Sequence, residues 1–258
     1  MIKIWIPFLI LFSTNLLKAK ETISAKSYLI EDRDTKVILS KKNTSIVLPM
    51  ASITKLATAL LTLKNKDLND FVKITKTTVL RNETDKSAFL TEGEFYTRKD
   101  LLLTMLVSST NVAAISLAAN VSGSPEKFVE DLNLWAKENQ LEKTSFGDTF
   151  GLSQNSKSNI DDIAKILDLI ESNKDLFTIL TTTSYTITEK KGKKQNLTTT
   201  NEMPTYKEYK IFGKTGTTNA AGKCFAGFIT KDSKKWKIIL LGSKNVFSDM
   251  KILIDQIQ

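Results

Sequence analysis

The chain has 258 residues, of which 41% are hydrophobic, so it is long enough for one large domain or two small ones. It contains no histidine, and its single cysteine is Cys224. These absences exclude a Ser-His-Asp triad, a Cys-His pair, a histidine-ligated zinc and an internal disulfide. A base that acts without a cofactor must then be Lys, Asp, Glu or Tyr. We expect no cofactor and no metal.

The net charge of +9 is compatible with a nucleic acid or with an anionic surface such as a membrane or cell wall. The lysines are scattered, and the one tight cluster, residues 190–194, surrounds Gly192. No aromatic residue is interleaved with this cluster, as it would be in a nucleic-acid site. We therefore interpret it as a solvated hairpin turn and expect no nucleic-acid partner.

The first nineteen residues have the pattern of a secretory signal. Lys3 precedes an apolar run that extends to Phe12, and Ala19 is a small residue before the first acid, Glu21. The run is shorter than the roughly 20 apolar residues that span a bilayer. We expect cleavage after Ala19 and export of residues 20–258 to the periplasm or cell envelope, with membrane attachment only if the signal is uncleaved.

The predicted elements change from strands to helices and back to strands. Residues 27–31 and 36–40 are β-type runs on either side of a turn, and residues 52–63 have helical apolar spacing after Pro49. Further helical patterns cover residues 99–107, 112–121, 125–139 and 160–172. Strand patterns follow at 185–188, 210–217, 224–230 and 236–242, and an amphipathic helix covers 247–257.

This order predicts an α+β fold in which both chain ends build one antiparallel sheet beside a mostly helical lobe. No linker rich in glycine, serine or proline interrupts residues 20–258, so we expect a single domain. Four of the ten glycines, Gly213, Gly216, Gly222 and Gly227, fall within fifteen residues. Such a density predicts a backbone that something else approaches closely.

Three short motifs carry the candidate chemistry. Ser52 and Lys55 are three residues apart at a helix start, which places a hydroxyl and an amine on one face, near backbone N–H groups that can bind an oxyanion. The lysine can act as a base only if its pKa lies well below about 10.4. Ser109 and Asn111 form S-x-N between two helical runs, and K-T-G begins at Lys214 in the glycine cluster. Each motif alone is weak, but their order is the three-motif pattern of the penicillin-recognising serine enzymes.

Within that superfamily, the chain resembles the low-molecular-weight penicillin-binding proteins, the serine-type D-alanyl-D-alanine carboxypeptidases. The local sequences that carry the resemblance are residues 49–56, 105–114, 121–124, 150–152 and 213–224. The likeness extends from about residue 25 to residue 230. It implies a β-lactamase/transpeptidase-like fold with the active site between the sheet and the helical lobe. It also implies peptidoglycan stem peptides as substrates and β-lactams as inhibitors.

The resemblance implies catalytic roles for four residues. Ser52 would be the acylated nucleophile, and Lys55 would be the base that accepts its proton. Ser109 would relay a proton to the leaving group. Asn111 would position Lys55 and the substrate amide.

The K-T-G strand would bind the substrate. Lys214 would supply positive charge, and Thr215 and Thr217 hydroxyl groups, to the terminal carboxylate of the peptide. The backbone N–H groups of Ser52 and Thr217 would form the oxyanion hole. Gly216 fits this reading, since a strand that takes a peptide alongside it has no room there for a bulky side chain.

Three other functions use related sites. A DD-endopeptidase that cuts peptidoglycan cross-links would employ the same residues, because only the leaving group differs. A class A-like β-lactamase is disfavoured, since no E-x-x-L-N stretch lies between S-x-N and K-T-G. A non-enzymatic wall-binding protein is disfavoured by three intact motifs.

The sequence departs from its relatives at two places. Val112 follows Asn111, where many relatives have Asp. Because the sequence ends at Gln258, we expect neither the C-terminal β-rich domain nor the amphipathic anchor helix that many relatives carry. Cys224 matches a position where relatives often have cysteine, and we interpret it as a buried packing residue.

Overall fold

The computed structural model describes residues 22–64, 66–76 and 89–257. The predicted signal, residues 1–19, lies outside them. The strands are β1 (Ser27–Asp32), β2 (Ile38–Lys42), β3 (Leu48–Pro49), β4 (Phe71–Lys73), β5 (Phe95–Thr97), β6 (Lys157–Ser158), β7 (Ser184–Thr188), β8 (Lys194–Thr198), β9 (Thr205–Tyr206), β10 (Tyr209–Thr218), β11 (Gly222–Lys231) and β12 (Lys234–Ser243). The helices are α1 (Thr54–Leu63), α2 (Arg98–Leu106), α3 (Asn111–Ser122), α4 (Pro125–Glu138), α5 (Ile160–Ser172), α6 (Lys174–Leu180) and α7 (Val246–Ile254).

The main sheet has six strands in the order β2-β1-β12-β11-β10-β9 and joins the two ends of the described chain. β1 pairs antiparallel with β12, so that Ser27 lies opposite Leu241. The predicted α+β architecture, with both chain ends in one antiparallel sheet, is confirmed. The predicted N-terminal hairpin is also confirmed, although β2 begins two residues later than expected. The turn is longer than the pattern indicated, because Asp32 N–H donates to the Val37 carbonyl at 2.9 Å.

The sheet separates two hydrophobic cores because successive side chains of a strand point to opposite faces. On β12, Ile239 and Leu241 belong to the core shared with the helical lobe, and Ile238 and Leu240 to the core beneath α7. Helix α1 is the central helix of the lobe and contacts α2, α3, α4 and α5. Burial around α1 fixes the position of the segment that carries Ser52.

The other predicted helices are found close to their expected bounds, and α6 is a further helix that the pattern did not predict. The start of α4 is set by Ser124, whose hydroxyl accepts from Lys127 N–H, and the start of α5 by Asn159, which accepts from Asp162 N–H. The last helix, α7, ends at Ile254 rather than at the predicted residue 257. The lysine cluster forms the turn between β7 and β8, as predicted, with Gly192 at φ +96°. Within the described residues, no helix combines the length and apolar character needed to cross a bilayer.

Two of the clustered glycines lie opposite each other on neighbouring strands, and each leaves room for the backbone of the other strand. Gly213 on β10 pairs with Gly227 on β11, and a Cβ added to Gly213 would lie 2.6 Å from the Cα of Gly227. A Cβ on Gly227 would lie 2.2 Å from the Phe212 carbonyl oxygen. The predicted close approach is therefore, at these two positions, the backbone of the neighbouring strand.

Candidate active site

The first motif lies where a 3-10 turn, Ala51–Ile53, runs into helix α1. The Lys55 ammonium nitrogen, Nζ, is 3.0 Å from the Ser52 hydroxyl oxygen, Oγ. Lys55 has no solvent-exposed surface. Ala51, directly before the serine, has a left-handed φ of +49°, a conformation that non-glycine residues rarely adopt. The turn thus aims the serine hydroxyl at a buried amine.

Lys55 is held by groups from two other parts of the fold. Its Nζ donates to Asn111 Oδ1 at 2.6 Å and to the Phe150 carbonyl oxygen at 3.1 Å. The Phe150 ring centroid is 5.9 Å from the same Nζ. Asn111 is the first residue of α3, so the S-x-N motif meets the S-x-x-K motif as expected. The three bonds fix the amine beside Ser52.

Ser109 lies in the short connection between α2 and α3. Its φ of +62° is left-handed, which turns the chain sharply between the two helices. The side chain lines the same cleft as Ser52. Both polar residues of the S-x-N motif therefore lie beside the S-x-x-K motif: Asn111 binds Lys55, and Ser109 lines the cleft with Ser52.

The third motif brings a second buried lysine to the site. Lys214 on β10 is fully buried, and its Nζ donates to the Thr215 carbonyl at 2.9 Å. Burial, together with the positive charge of Lys55, holds the pKa of Lys214 well below its ordinary value. A carboxylate placed beside Lys214 would supply the opposite charge and raise that pKa again.

Gly216 lets β10 lie directly against the nucleophile turn. A Cβ at this position would be 2.8 Å from the Ser52 backbone nitrogen and 3.0 Å from the Ala51 Cβ. A larger residue would push the strand away from Ser52. On either side of Gly216, Thr215 and Thr217 line the cleft.

The cleft has a volume of about 290 Å³. Its predicted members are Ser52, Ser109, Thr215, Gly216 and Thr217. Five lining residues had no predicted role: Thr200, Glu202, Lys223, Val246 and Phe247. Cys224 also lines the cleft but is buried, and burial raises the pKa of its thiol to about 11, in agreement with a packing role. A larger cavity, about 540 Å³, lies between α3, α4 and the segment around Phe150, and none of its lining residues belongs to the three motifs.

Two features of the site had no counterpart among the predicted roles. Thr200, in the segment after β8, lines the cleft, and its Oγ1 lies 2.5 Å from Thr215 Oγ1. Phe150 supplies the carbonyl that binds Lys55. The sequence signals for this segment were the resemblance at residues 150–152 and Gly151 itself, which has φ +95° and whose Cβ would be 1.8 Å from the Ala51 carbonyl oxygen.

The fold is the one shared by penicillin-binding proteins and DD-transpeptidases. It superposes on the crystal structure of a D-alanyl-D-alanine carboxypeptidase from Mycobacterium tuberculosis with a TM-score of 0.81, covering 92% of this chain and 91% of that chain at 24% identity. It superposes on the Streptomyces K15 DD-transpeptidase with a TM-score of 0.82, covering 92% and 98% at 24% identity. At these identities the likeness establishes the fold.

The chain belongs to peptidase family S11, D-alanyl-D-alanine carboxypeptidase, which it matches over residues 14–245. It is 30% identical over 233 residues to a D-alanyl-D-alanine endopeptidase of Pseudomonas aeruginosa, covering 87% of this chain and 73% of that protein. It is 29% identical over 228 residues to the D-alanyl-D-alanine carboxypeptidase DacF of Bacillus subtilis, covering 85% and 57%. A D-alanyl-D-alanine endopeptidase of Escherichia coli is 31% identical over 208 residues, covering 78% and 66%. The chain thus spans 57% to 73% of the length of these relatives, and the family expected from the motifs is confirmed.

Proposed function

We propose that the protein is a serine-type D-Ala-D-Ala carboxypeptidase that removes the terminal D-alanine from peptidoglycan stem peptides. The observation that carries the proposal is the pair formed by Ser52 Oγ and the buried Lys55 Nζ, 3.0 Å apart, with Asn111 Oδ1 on the same nitrogen. In a chain without histidine, this pair supplies both the nucleophile and the base.

In the acylation step, Lys55 in its deprotonated form takes the proton of Ser52 while Oγ attacks the carbonyl carbon of the penultimate D-alanine. The backbone N–H groups of Ser52 and Thr217 donate to the oxygen that becomes negative. The bond to the leaving nitrogen breaks, and Ser109 relays a proton to the departing D-alanine. Water then hydrolyses the ester on Ser52 and releases the shortened peptide.

The K-T-G strand recognises the end of the substrate. A terminal D-alanine carries a carboxylate that an internal peptide bond lacks. Lys214 and the hydroxyls of Thr215 and Thr217 bind that carboxylate, and its charge offsets the cost of keeping a second ammonium group beside Lys55. This proposal is supported by the position of Lys214 beside Lys55 and directly before Thr215, which lines the cleft.

A fluorescent penicillin tests the acylation proposal. We expect a covalent adduct whose mass maps to Ser52 and which is absent in Ser52→Ala. An adduct on another residue, or one that persists in the variant, would refute the proposed nucleophile. β-Lactams are expected to inhibit for the same reason.

A DD-endopeptidase that cuts peptidoglycan cross-links is the second candidate. It is favoured by two of the three relatives described above, which are named endopeptidases. Purified monomeric and cross-linked muropeptides distinguish the two activities by the mass of their products. Release of free D-alanine from monomers supports the carboxypeptidase, and conversion of cross-linked dimers to monomers supports the endopeptidase.

The site of action is proposed to be the periplasm or cell envelope, where a peptidoglycan peptidase meets its substrate. The pattern of residues 1–19 supports export with cleavage after Ala19. We expect the N-terminus of the mature protein at or near Lys20, in the soluble periplasmic fraction. Membrane-bound protein that retains Met1 would indicate an uncleaved anchor instead.

A further inference from the structure

The edge strand β2 and the segments on either side of it expose an unusual number of aliphatic side chains. Nine large hydrophobic residues are exposed among the described residues, and five of them fall between residues 37 and 47. They are Val37, Ile38, Leu39, Ile46 and Val47, with exposed fractions from 38% to 54%. We call these five residues, together with Lys36, Lys41 and Lys42, the β2 patch. Clustered exposed aliphatic residues of this kind indicate an interaction surface.

The charges on the β2 patch are all positive. Lys36, Lys41 and Lys42 are exposed, and no Asp or Glu occurs between Asp34 and Asp67. Lys42 Nζ donates to a backbone carbonyl at 3.1 Å, an interaction that leaves its charge unneutralised. The patch therefore combines an aliphatic surface with three lysines that form no ion pair with a carboxylate of the described residues.

The carboxylates that lie behind β2 are mostly neutralised by other groups. Lys237 bridges Glu31 and Asp168 at 3.2 and 2.9 Å, and Arg33 also pairs with Asp168 at 2.5 Å. Asp161, on α5, lines the same groove as Lys36 and Lys41. Asp161 and the exposed Asp34, two residues before Lys36, are two carboxylates against three lysines, so a net positive charge remains on the patch.

The position of the patch leaves the active site free. β2 is one edge of the six-stranded sheet, whereas β10, with the K-T-G motif, lies four strands away. At about 4.8 Å per strand, the two are separated by roughly 19 Å across the sheet. A surface bound at β2 would face away from the cleft, which would stay open to a substrate on the other side.

We propose that the β2 patch docks the protein on an anionic lipid bilayer. Lysines are attracted to anionic headgroups, and aliphatic side chains between them can enter the boundary between headgroups and acyl chains. A soluble polyanion would use the lysines but gain nothing from the aliphatic residues. Pairing with another β-strand is opposed by lysines on the edge strand, which is how proteins block such contacts.

Mass spectrometry first establishes the N-terminus of the exported protein. The test then measures how much of this protein sediments with vesicles of phosphatidylcholine alone or of phosphatidylcholine mixed with phosphatidylglycerol. We expect binding to the mixed vesicles and little to phosphatidylcholine. The double variant Lys36→Gln/Lys41→Gln should weaken binding by about fivefold for each lysine removed, roughly 25-fold in total. Val37→Thr/Ile46→Thr, which keeps every charge, should also weaken it severalfold, because the aliphatic contact is lost.

The matched control is Lys191→Gln/Lys194→Gln, which removes the same charge from the exposed β7–β8 turn. We expect this control to change vesicle binding less than twofold. Penicillin labelling should be unchanged in all three variants, which shows that they are folded. Equal loss in the control would attribute binding to net charge and overturn the proposal. So would equal binding to phosphatidylcholine, unchanged binding of the threonine variant, or a dimer that the β2 variants abolish without any vesicle binding.

Discussion

Replacing Lys214 by methionine should stabilise the protein while damaging its proposed activity. The Lys214 ammonium is fully buried, donates to the Thr215 carbonyl at 2.9 Å, and forms no ion pair with a carboxylate of the described residues. Burial and the nearby charge of Lys55 hold its pKa well below the ordinary value. Methionine keeps the unbranched shape and removes the charge. Replacing a buried ion pair by apolar residues of similar volume is often neutral or stabilises a protein by about 1–4 kcal/mol, and for Lys214, which has no carboxylate to offset its burial, we expect a gain within that range.

The pH dependence gives the sign of the effect. Between the lowered pKa of folded Lys214 and about 10.4 in the unfolded chain, the unfolded state binds more protons, so wild-type stability rises with pH. Below both pKa values the lysine is charged in either state, and its full cost is present. The advantage of Lys214→Met should therefore be largest at low pH and should shrink as the pH rises towards 10.

Urea denaturation of both proteins from about pH 6 to about pH 10 measures this difference. The matched control is Lys210→Met on the same strand, where the lysine is exposed and stability should change by less than about 0.5 kcal/mol. Turnover of a peptide with a free terminal carboxylate should fall roughly 10- to 100-fold in Lys214→Met, and turnover of its C-terminal amide much less. A variant less stable than wild type, or an unchanged pH slope, would refute the electrostatic reasoning, and equal losses on both substrates would refute carboxylate recognition.

Three further changes test the rest of the site. Lys55→Arg should slow penicillin acylation of Ser52 by about 10²- to 10⁴-fold, because a guanidinium stays protonated; wild-type labelling rates would show that the base lies elsewhere. Gly216→Val should lower the free energy of unfolding by about 1–3 kcal/mol and slow labelling, since its Cβ would lie 2.8 Å from Ser52 N; an unchanged melting temperature and labelling rate would contradict that crowding. Asp148 accepts from Phe150 N–H at 3.1 Å and so positions a ligand of Lys55. Asp148→Asn should therefore raise the activation free energy of labelling by more than it lowers the free energy of unfolding. A larger loss in the free energy of unfolding would indicate a purely structural role.

Much of the fold followed from local pattern, since helices such as α4 and α5 bury one periodic face and β11 has a continuous buried centre, residues 224–229. Helix α5 illustrates this, because its predicted bounds are those observed. Short elements were not predictable in the same way. Helix α6 has seven residues, too few for a clear period, and β9 has only two. Such elements are fixed by what they pack against rather than by their own sequence.

In the site, too, contacts between residues close in sequence were predictable, and contacts that depend on tertiary packing were not predictable from local sequence. Ser52 and Lys55 are neighbours on one helix face, so their spacing alone predicted the contact. The meeting of Lys55 with Asn111 depends on how α1 packs against α3, and only the resemblance to a family with known motifs anticipated it. Thr200 lies on a segment without a motif, and the sequence around neither Thr200 nor Thr215 indicated that the two residues are in contact.

The carbonyl of Phe150 shows most clearly what a motif leaves out. A backbone group is available at every residue, so no residue type marks the one that will bind Lys55. Its position is set by Asp148, which accepts from Gly151 N–H at 2.5 Å and Ser153 N–H at 2.6 Å and so folds the segment back on itself. Gly151 then fits against the Ala51 carbonyl, where any Cβ would collide. The nucleophile turn and the Phe150 segment therefore constrain each other, and the geometry of the base depends on residues that take no part in the chemistry.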